Sequence, residues 1–436
     1  MAERETEHVR MVDAGRVRAA YAPMSSSAKL FESVRASRFQ CVAHGNTYGL
    51  SFVAASTGFT MTVNDSFEEA CADYVARKQI AIDHGQNATH VALKPLPTRR
   101  DVALPLIAYQ LALSSDELHL AVAYGEHLAV YEVAELYHSS TPAALHIFSN
   151  MAVEEIAWCA GSASGTFAVL STSGQVVICS TDGSSREIDD VSAKASSVCW
   201  SPSGELLAVG LTNSEIEVVD QASLKVTRTI TSPDCCENGE FAVHHVNWAE
   251  DDVILAGFWK YDEDEGETTA FACLFEGDAW VELDEVVAFY DVENRTHQYY
   301  SVFLADWRMF FIGCSLSADV ELLVSDPDSG EWEVWKPSEK FQARLPMNAK
   351  DEESYPLGLV LNFNSSNPVD VEDTEYAPAP LVSCATTEGL VVNFGFIDTT
   401  VYDELPFIKK PVDFTALPTQ TPFVPPPTPT ESKSAL

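Results

Sequence analysis

Few residues of this sequence have the types and spacing that could carry chemistry, and none of them forms a complete motif. The glycine-serine cluster at residues 161–165 has Ala163 where a GxSxG hydrolase has its nucleophile. His244 and His245 are adjacent, so on a strand they point to opposite faces and cannot hold one metal together. The acidic run at residues 262–265 lacks the spaced ligands of a calcium loop. We therefore predict no enzyme, no metal site and no cofactor.

The cysteine pattern and the absence of apolar segments predict where the protein lies in the cell. The ten cysteines form no CxxC pair, and most of them lie in strand-like stretches, which is typical of reduced thiols in a reducing compartment. The N-terminus is charged and lacks the apolar core of a signal peptide. No apolar run approaches the roughly 18–20 residues that cross a bilayer. We expect an intracellular protein without membrane insertion.

The charge balance is strongly acidic. Lysine and arginine number 26 against 65 aspartates and glutamates, which gives a formal net charge of −39. Such a field repels phosphate backbones, so we predict no direct nucleic-acid binding and favour a basic protein partner. The alternative is that the acidic residues only keep a large domain soluble.

The elements that would position a binding site are organised around one repeated unit, best seen at residues 196–220. Alternating apolar residues precede a Ser-Pro-Ser-Gly turn, an apolar strand, a polar turn and a second alternating strand. Period-two patterning broken by such turns predicts an antiparallel meander. Trp158, Trp200 and Trp248 recur 42 and 48 residues apart, which fits four-stranded blades of a β-propeller.

Counting such units predicts an all-β fold, a single divergent seven-bladed β-propeller of the WD40-like kind, although six or eight blades would also fit. We place an N-terminal extension at residues 1–37, the propeller at 38–398 and a proline-rich tail at 399–436. The extension has enough apolar residues to supply a strand that closes the ring. Residues 66–78 predict a short helix between blades, with Ser66 and Glu69 as a capping pair.

Seven short stretches, in this order along the chain, resemble the N-terminal propeller of the large cytoplasmic-face nucleoporins of 214 and 159 kilodaltons. They read NTYGLSF at 46–52, LALSSD at 111–116, SVCWSPSG at 197–204, HQYY at 297–300, LPM at 345–347, YPLG at 355–358 and PAPL at 378–381. The resemblance covers about residues 40–396 and implies a scaffold at the cytoplasmic face of the nuclear pore complex.

This resemblance also implies a partner. In the family the propeller binds the DEAD-box RNA helicase of mRNA export through a helicase surface that RNA also needs, so nucleoporin and RNA compete. Other nuclear pore proteins would be bound through regions outside this chain. The family's contact includes the loop between the sixth and seventh blades, which corresponds to residues 337–355 here.

That loop has suitable chemistry for a protein partner. Met347 beside Leu345 and Pro346 offers an adaptable apolar contact, and Arg344 can pair with a carboxylate. The acidic residues that would receive arginines of a basic partner are Asp351, Glu352 and Glu353. The family's key arginine aligns near Gln342, two residues before Arg344, and this leaves open which position takes its role.

The tail contains apolar anchors followed by two lysines, and the domain before it is acidic. We predict that the tail docks back on the propeller and partly screens the partner site. The predicted docking residues are Leu405, Phe407, Ile408, Lys409 and Lys410. The alternative reading of the whole chain is a propeller adaptor, or an enzyme with its site in the central channel, unrelated to the nuclear pore.

Overall fold

The polypeptide forms a closed ring of seven sheets, which are antiparallel except where one N-terminal strand is added. The computed structural model describes residues 3–21, 37–86, 91–161, 165–236, 239–262, 264, 266–283, 286–292, 295–348, 350–372, 374–401 and 405–414. In these ranges six sheets have four strands, the seventh has six strands, and there is one separate two-stranded hairpin. The predicted seven-bladed β-propeller is therefore confirmed.

The strands follow one another regularly along the chain, and each sheet is called a blade below. Two strands precede the first blade, β1 (Glu3–Thr6) and β2 (Val9–Arg18). Blade 1 comprises, from first to fourth strand, β3 (Val42–Gly45), β4 (Leu50–Ala55), β5 (Gly58–Val63) and β6 (Arg100–Ala103). Blade 2 comprises β7 (Ala108–Leu113), β8 (His119–Tyr124), β9 (His127–Glu132) and β10 (His146–Ser149). Blade 3 comprises β11 (Val153–Trp158), β12 (Thr166–Ser171), β13 (Val176–Ser180) and β14 (Ser185–Glu187).

Blades 4 to 6 repeat this order. They comprise β15 (Ala195–Trp200), β16 (Leu206–Leu211), β17 (Ile216–Asp220) and β18 (Val226–Ile230); β19 (Ala242–Glu250), β20 (Val253–Asp262), β21 (Glu267–Glu276) and β22 (Ala279–Glu282); β23 (Tyr299–Leu304), β24 (Met309–Cys314), β25 (Asp319–Ser325) and β26 (Trp332–Pro337). The remaining strands are β27 (Ala343–Arg344), β28 (Pro356–Asn362), the hairpin β29 (Val369–Val371) and β30 (Thr374–Tyr376), β31 (Leu381–Thr386) and β32 (Leu390–Asp398).

Blade 7 is completed by the N-terminal part of the chain. Its strands are β28, β31, β32 and, outermost, β2, which pairs antiparallel to β32. The buried residues Val9, Met11 and Val17 give β2 the apolar face that this position needs. β1 adds in parallel to β26 at the outer edge of blade 6. The extension predicted over residues 1–37 thus contributes two strands to the ring.

The ring has two faces that follow from the strand directions. The first strands contact one another in a closed cycle, from β3 through β7, β11, β15, β19, β23 and β28 back to β3. Because consecutive strands are antiparallel, all turns between first and second strands lie at one end, here called the lower face (for example residues 46–49, 305–308 and 363–380). Turns between second and third strands (for example residues 315–318 and 387–389) and connections from one blade to the next (for example residues 337–355) lie at the other end, the upper face.

The repeated turn and tryptophan join neighbouring blades. In the turn after β15, Gly204 has a φ of +74°, and a side chain there would collide with the carbonyl oxygen of Ala160 in blade 3. The indole Nε1 of Trp200 donates to the Ala157 carbonyl of blade 3 at 2.9 Å. Trp158 makes the same bond to the Ala112 carbonyl of blade 2 at 2.8 Å. The repeat therefore specifies packing between blades as well as within them.

Among the described residues two helices interrupt the pattern, and the longer one differs from the sequence prediction. Helix α1 (Asn64–Asp83) connects the third and fourth strands of blade 1, so it is an insertion inside a blade and not between blades. Val63 occupies its N-cap position without a side-chain hydrogen bond, so Ser66 is not the cap. Helix α2 (Val133–His138) joins the same two strand positions in blade 2. In the described ranges, neither helix is long and apolar enough to cross a bilayer.

Candidate protein-binding site

The connection between blades 6 and 7 is held against the ring by buried apolar side chains. A short 3₁₀ turn, Glu339–Phe341, follows β26, and β27 then pairs with β25. Phe341, Ala343 and Leu345 are 8%, 1% and 3% exposed, so alternate residues of this connection are anchors. The residues between the anchors consequently face solvent in a fixed order.

The predicted contact residues divide into an exposed and a buried set. Met347 is 56% exposed, and Gln342, Arg344, Asp351 and Glu352 are also exposed. Pro346 and Glu353 are partly exposed. Leu345 differs from the expectation of a contact residue: its side chain packs with the core of blades 6 and 7, where a partner cannot reach it.

Arg344 is paired within the chain. Its Nη2 lies 2.6 Å from Glu353 Oε1, and its Nη1 lies 3.8 Å from Oδ1 of Asp319 at the start of β25. Burial raises the pKa of Asp319, and the guanidinium of Arg344 opposes that shift. In this structure Arg344 therefore pairs with carboxylates of its own chain, and not with a carboxylate of a partner as expected.

Asn348 organises the tip of the loop. Its Oδ1 accepts hydrogen bonds from the backbone N–H groups of Lys350 and Glu352 at 2.8 and 3.0 Å, and its Nδ2 donates to Glu352 Oε2 at 2.8 Å. Nearer the base of the loop, the hydroxyl of Ser354 donates to the Pro346 carbonyl at 2.6 Å. The loop therefore closes on itself and carries Met347 on its outer side. Sequence reasoning missed this contribution, although an Asn two residues before a charged turn is a known turn signal.

A second polar site, missed from the sequence, lies at the hub of the ring. Arg38 is 2% exposed and reaches across the upper end of the channel, where its Nη1 donates to Glu155 Oε2 at 2.9 Å. Gln298 holds the next residue, Phe39, by accepting from its N–H at 2.9 Å and donating to its carbonyl at 3.1 Å. Gln110 donates to the Arg38 carbonyl at 3.3 Å. A cavity of about 120 Å³ lies among these side chains.

Burial shifts the pKa values of the titratable groups at the hub. Burial raises the pKa of Glu155, and Arg38 counteracts it. Burial lowers the pKa of His245 and of His297 to about 3, so both imidazoles are neutral near pH 7. In the described part of the chain, no three His, Cys, Asp or Glu side chains are grouped as a metal site would need. The arrangement suits a structural bridge across the channel.

The predicted docking residues of the tail lie along the lower face. Leu405 lines a small pocket with Trp307 of blade 6, Phe407 packs edge-on against Trp307, and the Phe407 ring lies 5.7 Å from the Phe363 ring of blade 7. The Lys409 N–H donates to the Phe363 carbonyl at 3.0 Å. Ile408 is partly exposed and Lys410 is exposed.

The segment continues onto blades 1 and 2 through residues that sequence reasoning did not single out. The Val412 N–H donates to the Thr47 carbonyl at 2.7 Å. Phe414 is 3% exposed and packs against Tyr48 and Tyr137, with ring centroids 4.8 and 5.2 Å away. Residues 402–404 and 415–436 of the predicted tail lie outside the described residues.

The tail and the blade 6–7 loop lie at opposite faces of the ring. Every tail contact named above involves a turn between first and second strands or helix α2, which belong to the lower face. The exposed part of the loop 342–354 belongs to the upper face, where the Tyr355 N–H bonds to Thr387 between β31 and β32. The described tail residues therefore do not cover the predicted partner site.

A closed ring of seven sheets defines this chain as a β-propeller. The family comparison identifies it further. The NUP159/214 β-propeller model matches residues 77–391, and the chain belongs to that family. Human nuclear pore complex protein Nup214 is 24% identical over 409 residues, which are 84% of this chain and 18% of the human protein. The chain thus spans about a fifth of that relative's length.

Solved structures share the fold at low sequence identity. A chain in the yeast complex of Dbp5 with Nup159, Gle1, IP6 and ADP matches with a TM-score of 0.66 and 14% identity, covering 91% of this chain and 97% of that one. The N-terminal domain of Nup159 gives 0.65 and 14%, with coverage of 91% and 98%. The WD40 domain of Toxoplasma gondii coronin gives 0.53 and 10%, with coverage of 90% and 87%.

Proposed function

We propose that this propeller binds a DEAD-box RNA helicase of mRNA export and positions it at the cytoplasmic face of the nuclear pore complex. The observation that carries the proposal is membership of the NUP159/214 propeller family. It is supported by the structural match to a chain of a complex in which Dbp5 is bound to Nup159. The propeller acts as a scaffold and contributes no reaction of its own.

The upper-face loop supplies the contact in this proposal. Met347 inserts its flexible apolar side chain into a pocket of the helicase, as an exposed methionine on a fixed loop is suited to do. Asp351 and Glu352 beside it receive basic side chains of the partner. The net charge of −39 attracts a basic surface over a longer range and makes association sensitive to salt.

The same proposal includes competition with RNA. The basic helicase surface that pairs with Asp351 and Glu352 is of the type that binds RNA phosphates, so both ligands cannot occupy it together. Binding to the propeller would then hold the helicase in its RNA-free state.

Calorimetric titration of the chain with the helicase tests the proposal at about 0.05 M and about 0.15 M salt. We expect binding that weakens at the higher salt and a loss of about tenfold or more on Met347→Asp. Asp351→Lys should weaken binding in the same way. The control is Glu69→Lys on α1, which makes the same charge change at an exposed position of the lower face.

Three results would count against the proposal. Absence of binding by the unchanged chain would remove the helicase as partner. Equal losses for Glu69→Lys and Asp351→Lys would show that only total charge matters. Simultaneous binding of the propeller and a single-stranded RNA to one helicase molecule would remove the competition.

A further inference from the structure

Arg344 lies between two carboxylates at the base of the exposed loop. Its guanidinium is 2.6 Å from Glu353 and 3.8 Å from Asp319, and the three side chains are between one third and slightly more than half exposed. Asp319 and Glu353 repel each other as like charges, and Glu353 thereby contributes to the raised pKa of Asp319. Lys336 also acts on Asp319, but its ammonium is bonded to Glu321 at 2.8 Å.

The Arg344–Glu353 ion pair closes the base of the loop that carries Met347. Moving outward from β27, the chain meets the Arg344–Glu353 ion pair, then the Ser354–Pro346 hydrogen bond, then the Asn348 turn. Leu345 anchors one side of this base in the core. Met347 extends from the closed end with no comparable anchor, so its position depends on how well the base is held.

We propose that Arg344 is a positioning residue: paired with Glu353, it fixes the loop 345–353 so that Met347 is presented to the helicase, and it does not bind the partner itself. The bound loop then has less conformational entropy to lose, since it is already ordered before the encounter. The consequence for the helicase rests on the proposed function, whereas the ordering of the loop does not. An exposed ion pair acts only modestly, so we expect effects of a few-fold.

Hydrogen–deuterium exchange of the chain alone tests the ordering. The Asp351 and Glu352 amides are bonded to Asn348, so they report on the closed loop. Arg344→Gln should speed their exchange about threefold or more. The matched control is Lys340→Gln, which breaks the similarly exposed Lys340–Glu372 pair in the same connection. Unchanged exchange in Arg344→Gln, or an equal increase in Lys340→Gln, overturns the proposal.

A double-mutant cycle with the helicase tests the consequence. Arg344→Gln should weaken binding about three- to tenfold in the unchanged chain and less than about twofold when Met347→Ala is also present. Equal losses in both backgrounds would mean that Arg344 contacts the helicase directly. Tighter binding by Arg344→Gln would mean that it only masks acidic charge. Either result overturns the proposal.

Arg344→Lys adds a conservative comparison. It keeps the charge and can pair with one carboxylate, so it should restore most of the affinity and protection, whereas restoration of neither would overturn the proposal. Should the unchanged chain not bind the helicase, the proposed function fails. The exchange experiment then still decides whether Arg344 orders the loop.

Discussion

Phe407 stands edge-on against Trp307 at a centroid distance of 5.4 Å, so the segment after β32 is fastened to blade 6 before it crosses to blade 1. The crossing ends at Phe414, whose ring is enclosed by Tyr48 and Tyr137. Aromatic contacts at both ends, with backbone hydrogen bonds between them, make the described part of this segment a component of the lower face.

Phe414→Ala should release the end of this segment. The Phe414 side chain is 3% exposed, and truncation of such a phenylalanine costs about 3 kcal/mol or more. Here this free energy is lost from the contact between the segment and the propeller. We expect limited proteolysis to cut within residues 405–414 at least about tenfold faster. Val412→Ala, in the same segment but 57% exposed, is the control. Equal cleavage of both variants would show that the aromatic contact does not hold the segment.

Deletion of residues 401–436 should leave helicase affinity within about twofold of the unchanged chain. The described tail residues lie on the lower face, and the loop with Met347 lies on the upper face. Titration calorimetry of both chains with the helicase measures the effect. A gain of about fivefold or more in affinity would show that the tail screens the partner site after all.

The features that sequence could predict are those coded by local repetition. Trp158 and Trp200 recur because each donates to a carbonyl of the preceding blade, so their spacing measures the blade. Turns such as the one at Gly204, whose φ is +74°, also have a local requirement that glycine meets. The exposed position of Met347 also fits its neighbourhood in the chain, since polar residues follow it at 350–354.

The features that sequence could not predict depend on partners far apart in the chain. Arg38 pairs with Glu155, 117 residues away, and nothing near either residue indicates a partly buried ion pair. In the sequence, Leu345 looks like part of an apolar patch with Met347. In the structure, the pairing of β27 with β25 directs the Leu345 side chain into the core. Phe414 lies in a proline-rich stretch, and the need for an aromatic residue there becomes clear only from its contacts with Tyr48 and Tyr137 on the propeller.

Arg38→Met should destabilise the fold strongly, although it adds apolar surface. Arg38 is 2% exposed, and its loss leaves the Glu155 carboxylate, whose side chain is 22% exposed, without its cation, which costs about 3 kcal/mol. Adding Glu155→Gln removes that charge and should recover more than half of the loss. Urea unfolding followed by tryptophan fluorescence gives the free energies. A double variant no more stable than Arg38→Met would show that the pair does not act as a unit.

His297→Phe should make the fold less sensitive to acid. His297 is 1% exposed between Phe289 and Tyr299, and among the described residues neither ring nitrogen has a hydrogen-bond partner. Burial, with smaller contributions from His245 and Arg38, lowers its pKa to about 3, against about 6.5 in the unfolded chain.

The sign of the effect follows from which state takes up the proton. Below about pH 6.5 the unfolded chain protonates this imidazole while the folded one does not, so stability falls as the pH is lowered towards 3. Between pH 7 and pH 5 the loss from this one group is about 2 kcal/mol. Urea unfolding at both values should show a drop smaller by about that amount in His297→Phe. The control is His84→Gln at the exposed end of α1. All other groups titrate alike in the compared chains, so equal drops in the unchanged chain and His297→Phe would mean that the folded hub does take up a proton at this imidazole.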